Sequence, residues 1–131
     1  MKKLGVLTFL LVLLTACAGT PTIIDLDSAN NGVTLETTVG QTINITLDSN
    51  ITTGFQWNLV SEPNASVLKL LSSQYVEPAA GNPPVVGAGG REVWKFQTIG
   101  RGTATIKLAY FRPFEKNTPP AKEFSATLVV R

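Results

Sequence analysis

From Thr42 to Leu47 the chain sets Ile43, Ile45 and Leu47 against Thr42, Asn44 and Thr46, and this period of two constrains the fold more than any other feature. Successive side chains of an extended chain point to opposite faces, so such a segment is a strand with one buried and one wet side. The same alternation returns in Val33–Val39, in Phe55–Val60 (Phe55, Trp57, Leu59), in Glu92–Thr98 with Trp94 and Phe96 inward, and in Thr103–Phe111 (Ala104, Ile106, Leu108, Tyr110). It closes the chain through Phe124, Ala126, Leu128 and Val130. Ile23–Leu26 reads as a further short strand. Val67–Val76 reads as a strand too, although Val67-Leu68-Lys69-Leu70-Leu71 also suits one helical turn. Turn signals separate the segments: Ser28-Ala29-Asn30-Asn31-Gly32, Gly40-Gln41, Ser61-Glu62-Pro63-Asn64 and Gly100-Arg101-Gly102. No amphipathic helical stretch and no internal repeat interrupts them.

Short, evenly spaced strands with turns between them predict an all-β fold, an immunoglobulin-like antiparallel β-sandwich of about seven to eight strands. If each strand reverses the direction of the last, the connections after the third, fifth and seventh strands meet at one end. These are Asp48–Gly54, the Pro/Gly-rich Glu77–Gly90, and Arg112–Lys122. The connections at the other end are compact. Antibody variable domains present binding loops from one end in this way, although long loops are also tolerated with no function at all.

The N-terminal region follows different rules. Lys2 and Lys3, the apolar run Leu4–Leu14 and the small-residue ending Leu14-Thr15-Ala16-Cys17 make residues 1–16 a secretory signal, with too few apolar residues to span a bilayer. Leu-Thr-Ala-Cys resembles the lipobox of bacterial lipoproteins. That resemblance implies lipidation at Cys17, a tether over 17–22, a domain over 23–131, and a place in the bacterial cell envelope, at the outer membrane because Ala18 follows the cysteine. A chance cysteine beside an ordinary cleavage site is the alternative. Cys17 is the only cysteine, so no internal disulfide forms. Loss of Lys2 and Lys3 takes the 11 basic residues to 9, against 9 acidic. A near-neutral chain without a basic stripe argues against nucleic acid as partner, and nothing in it calls for more than a monomer.

Enzyme chemistry has little to work with. The chain has no histidine and its cysteine lies at the lipidation site, which removes the usual general base, the common nucleophile pairs and the usual zinc ligands. No cofactor and no metal is expected. A carboxylate pair among Asp25, Asp27, Glu36, Asp48, Glu62, Glu77, Glu92, Glu115 and Glu123 stays open in principle, but none stands in a recognisable constellation and most read as solvated surface charges. Ser66-Val67-Leu68-Lys69 is an isolated Ser-x-x-Lys spacing without support.

The three long connections carry distinctive residues. In Asn50-Ile51-Thr52-Thr53-Gly54-Phe55, Asn and Gly allow a tight bend and Phe55 begins an aromatic strand, so a small polar tip stands on a large anchor. An ordinary surface turn has the same ingredients. Gly87-Ala88-Gly89-Gly90 is nearly free of side chains and lets another backbone approach closely, or else is a flexible turn. Arg112-Pro113-Phe114 joins a planar cation, a rigid bend and an aromatic ring, the residue types enriched at interface hot spots.

Together, and in this order, the three segments resemble the chagasin-type inhibitors of papain-like cysteine peptidases. Those carry Asn-Pro-Thr-Thr-Gly-Tyr/Phe, Gly-x-Gly-Gly and Arg-Pro-Trp/Tyr on an immunoglobulin-like sandwich. The resemblance spans about residues 30–130 and implies a wedge of three loops. Thr52-Thr53-Gly54 would sit beside the peptidase's catalytic cysteine and histidine, the glycine strip along the substrate wall, and Arg112 and Phe114 on an aromatic surface near that histidine. Two positions depart from the family pattern: Ile51 stands where the family has Pro, and Phe114 where it has Trp or Tyr. The competing reading is an envelope lipoprotein gripping a non-protease partner through the same loops.

Overall fold

A computed structural model describes residues 22–79, 81 and 87–131. The signal segment 1–16, Cys17, most of the tether, and positions 80 and 82–86 of the glycine-rich connection lie outside the described residues. Eight strands follow in order: β1 (Ile23–Leu26), β2 (Val33–Thr37), β3 (Thr42–Ser49), β4 (Gln56–Leu59), β5 (Leu68–Val76), β6 (Gly90–Thr98), β7 (Gly102–Phe111) and β8 (Lys122–Val130). They form two four-stranded sheets, ordered β1-β3-β6-β5 and β2-β8-β7-β4.

The alternation in the sequence is the alternation in burial. In β3, Ile43, Ile45, Leu47 and Ser49 are buried, while their neighbours are not. β6 buries Gly90, Glu92, Trp94, Phe96 and Thr98. β8 buries Phe124, Ala126, Leu128 and Val130. These inner faces meet in one core with Trp57, Ala104, Ile106, Leu108 and Tyr110. Each fully buried Ile, Leu or Phe contributes roughly 1.5–3 kcal/mol, so this core dominates the stability of the fold.

Strand direction reverses at every step. β3/β6, β5/β6, β4/β7 and β7/β8 pair antiparallel, while β1/β3 and β2/β8 pair parallel. The parallel pairs join two odd-numbered or two even-numbered strands, as strict reversal requires, and each places a short strand at a sheet edge. The connections after β3, β5 and β7 therefore share one pole.

The segment left open between strand and helix is strand from Leu68 to Val76, and the one helical turn lies just before it. Leu68 N–H donates to Asn64 O at 2.9 Å, closing a single helical turn, and the chain then enters β5. β5 carries a bulge between Leu70 and Ser72, which puts Leu71 on the outside.

Candidate functional site

The β3–β4 connection carries the chain from one sheet to the other, and its two feet are locked before its tip begins. Ser49 ends β3 and its hydroxyl donates to Glu92 Oε1 at 2.7 Å. The same oxygen accepts the backbone N–H of Trp57 in β4 at 3.0 Å. Trp57 Nε1–H closes the base again by donating to Asp48 O at 3.0 Å. Asn50 N–H donates to the Tyr110 hydroxyl of β7 at 2.9 Å. Glu92 is only 8% exposed. A buried carboxylate must be hydrogen-bonded to be tolerated, and here its partners are the two strands that frame the loop. Glu92 is thus not the solvated surface charge the composition suggests. The period of β6 already pointed inward at position 92, two residues before Trp94 and four before Phe96.

Between these feet the tip is wound rather than extended. Ile51–Thr53 form one 3-10 turn with Asn50 as its N-cap. Asn50 Oδ1 accepts from Thr52 N–H at 3.2 Å and from the Thr52 hydroxyl at 2.5 Å. Asn50 O accepts from Thr53 N–H at 3.2 Å and from the Thr53 hydroxyl at 2.6 Å. An Asn side chain satisfying the free N–H groups of a turn is the ordinary capping arrangement. The turn ends at Gly54, in the left-handed region at φ +83°. A Cβ there would also lie 2.9 Å from Cε1 of Phe114. Both the angle and the close approach require glycine.

The three segments named from the sequence converge here. Asn50 Nδ2–H donates to Gly87 O at 3.0 Å, tying the second loop to the first. Arg112 Nε–H donates to Thr53 O at 2.9 Å, tying the third. The guanidinium lies 4.3 Å from the centroid of the Phe55 ring, Phe55 stacks on Tyr110 at 5.2 Å, and Tyr110 meets Trp57 at 5.1 Å. Glu115 Oε1 holds the other arm of Arg112 at 2.8 Å. Glu115 N–H donates to Arg112 O at 3.0 Å, closing a turn with Pro113 in the position where its fixed φ helps. Arg112 therefore braces the cluster while its side chain stays a third exposed, a role the sequence did not suggest. A long side chain leaves no trace in the sequence of the direction it takes.

Exposure divides these residues into surface and support. Phe114 is 70% exposed and Ile51 47%, two apolar groups standing in solvent at one pole. Thr52, Thr53 and Pro113 are exposed as well. In the glycine strip, Gly87 and Gly89 are exposed and Ala88 is half-buried. Gly90 does not belong to that surface: it opens β6, is buried, and a Cβ on it would lie 2.2 Å from Val76 O. Its lack of a side chain serves the packing of β5 on β6.

With this geometry in view, comparisons with known proteins agree. The family described as "Chagasin family peptidase inhibitor I42" matches residues 36–128, a span that contains all three loops. Chagasin of Trypanosoma cruzi is 33% identical over 104 residues, covering 76% of this chain and 91% of chagasin. Amoebiasin-2 of Entamoeba histolytica is 29% identical over 101 residues, covering 75% of this chain and 77% of its own. The crystal structure of the cysteine protease inhibitor EhICP2 from Entamoeba histolytica is similar at a TM-score of 0.72 and 28% identity, over 84% of this chain and 96% of that one. The immunoglobulin-like sandwich, the three converging loops and these relatives place the chain in the chagasin family, which is made up of peptidase inhibitors and not enzymes.

Proposed function

We propose that this protein is a reversible, tight-binding inhibitor of papain-like cysteine peptidases, blocking the active-site cleft with its three loops while anchored to the bacterial envelope through lipidated Cys17. The observation that carries the inhibitory reading is the state of the Thr53 carbonyl. A peptide bond to be cleaved must lie extended, with its carbonyl free for the attacking thiolate and the oxyanion-stabilising donors. Thr53 sits instead in a wound turn, with its carbonyl already bound by Arg112 Nε–H. A tip of this kind fills a cleft without offering a scissile bond.

The surface around the tip has the composition of an interface. Ile51 and Phe114 supply apolar area, Thr52 and Thr53 small polar groups, and Gly87 and Gly89 a strip where a peptidase wall approaches the backbone. Because Asn50, Glu92, Arg112 and Tyr110 hold these groups in place beforehand, little order is left to impose on binding. Pre-organisation of this sort is how an interface near ~1,600 Å² reaches high affinity. Titration of active-site-standardised papain with the purified protein tests the reading. Activity should fall linearly to zero near one equivalent and return on dilution. Papain that stays fully active at micromolar excess contradicts it.

A further inference from the structure

The pole opposite the three loops has its own character. The chain enters the sandwich there, because β1 runs parallel to β3 and Ile23 pairs with Thr42, the far end of β3 from the inhibitory tip. Thr22 N–H donates to Gln41 Oε1 at 2.7 Å, and Thr22 O accepts from Thr42 N–H at 3.2 Å. The entry point is thereby fixed to the β2–β3 turn. That turn is bonded in its own right to the end of β6: Gly40 N–H donates to Thr98 O at 2.8 Å, and the Thr98 hydroxyl donates to Thr38 O at 2.7 Å. Around this knot three large apolar side chains stand in solvent: Ile23 at 59%, Val39 at 46% and Ile99 at 44% exposed. Val39 lies between Thr38 and Gly40, and Ile99 follows Thr98, so the hydrogen bonds just described bring their backbones to the same turn. Arg101, also exposed, follows in the next turn.

We propose that this pole is a membrane-facing surface that rests on the lipid headgroups, so that the lipidated protein stands upright with its three loops directed away from the bilayer. The occupant is argued from chain length and chemistry. From Cys17 to Thr22 is a short run that spans at most ~17 Å even if fully extended. A lipid on Cys17 therefore keeps this pole close to the surface. Exposed apolar groups with a cation beside them suit the boundary between headgroups and acyl chains. The loops lie at the other end of β3, whose eight residues span roughly 25 Å, more than two Debye lengths at physiological salt. A peptidase arriving from solution meets the wedge unobstructed. The inference rests on the envelope anchoring proposed above, and it is independent of whether peptidases are inhibited.

The test uses the full chain purified from bacterial membranes. Mass spectrometry first establishes an acylated Cys17, and an unmodified cysteine overturns the proposal. Lipidation consumes the only native thiol, so the variants Val39→Cys, Ile99→Cys and Thr52→Cys each accept one fluorophore. In vesicles of phosphatidylethanolamine and phosphatidylglycerol carrying headgroup nitroxides, positions 39 and 99 should be quenched roughly fivefold more than position 52, given the length of β3 between them. Equal quenching, or the reverse order, refutes the upright orientation. The double variant V39E/I99E, read through a fluorophore coupled at an added Thr103→Cys thiol, exposed at the start of β7 at the same pole, should lose most of the quenching seen there with Val39 and Ile99 intact. If that variant instead only dissolves a dimer, the patch is an interface between copies and the membrane assignment is wrong. No peptidase enters these measurements, so their failure and a failure to inhibit papain are separately visible.

Discussion

Replacing Glu92 should loosen the inhibitory tip although the residue touches no partner. In Glu92→Ala, the Ser49 hydroxyl and the Trp57 N–H lose their common acceptor in a site where Ser49 is 3% and Trp57 6% exposed. Leaving a buried polar group unsatisfied costs about 1–3 kcal/mol, so two such groups and a small cavity cost roughly 3 kcal/mol in stability. For a domain of this size that is a fall in Tm of roughly 10 °C. The effect on inhibition is distinct. With its feet untied, the tip must be ordered on binding, and backbone ordering costs about 1 kcal/mol or more per residue. Because the Asn50 cap and the Tyr110 bond survive, a loss of about 2 kcal/mol is expected, or ~30-fold in the inhibition constant. Glu92→Gln keeps an oxygen in the same place and should recover most of both losses. The assay is a papain inhibition series on Ala and Gln variants beside thermal melts, with amide exchange over Ser49–Trp57 to localise the loosening. An Ala variant that melts early yet inhibits within twofold of the parent, or a Gln variant as weak as Ala, would refute the reasoning.

Three other substitutions probe the same cluster. Ile51→Pro should tighten inhibition several-fold and raise Tm slightly. Position 51 is the first residue of the 3-10 turn, where proline is favoured, and Asn50 already lies in the extended region (φ −127°, ψ 90°), a modest ψ shift from what a following proline prefers; weaker inhibition would contradict this. Arg112→Ala should weaken inhibition about tenfold with little change in melting, because the side chain is a third exposed and its ion pair with Glu115 contributes ~1 kcal/mol at most. Arg112→Lys should do little better, since an ammonium reproduces neither the planar stack on Phe55 nor the Nε–H bond to Thr53, and full activity in the Lys variant would show that charge alone suffices. Gly54→Ala should cost about 1–2 kcal/mol for the left-handed angle, with a further clash against Phe114. Adding Phe114→Ala should relieve only the clash, as a double-mutant cycle on stability would reveal.

Much of the fold was legible because its signals are local. The alternation in Thr42–Leu47, Glu92–Thr98 and Phe124–Val130 reports which face each strand buries, and each strand of the structure lies within a residue or two of the segment that predicted it. Strict reversal then brought the three long connections to one pole. What stayed hidden depends on contacts distant in sequence. The 3-10 turn at Ile51–Thr53 owes its form to capping by Asn50, and Asn50 is itself held by Gly87 and Tyr110. Arg112 reads as a hot-spot residue by type, and only the folded chain shows that Thr53 O, Phe55 and Glu115 also hold its guanidinium. Gly90 looked like part of an exposed strip, but its neighbours in β5 make it a packing residue. Glu92 was overlooked because a carboxylate is ordinarily a surface group, and only the Ser49 and Trp57 donors, far away in the chain, make its burial affordable.

A pre-wound tip that fills a thiol peptidase's cleft should not be cut there. The intact mass of the chain after prolonged incubation with an equimolar amount of papain, with residual activity read from the same tube, decides this. The chain should stay uncleaved and the enzyme silent throughout. Cleavage within Ile51–Phe55 accompanied by returning activity would mean that the tip is a slow substrate, and the account would be wrong.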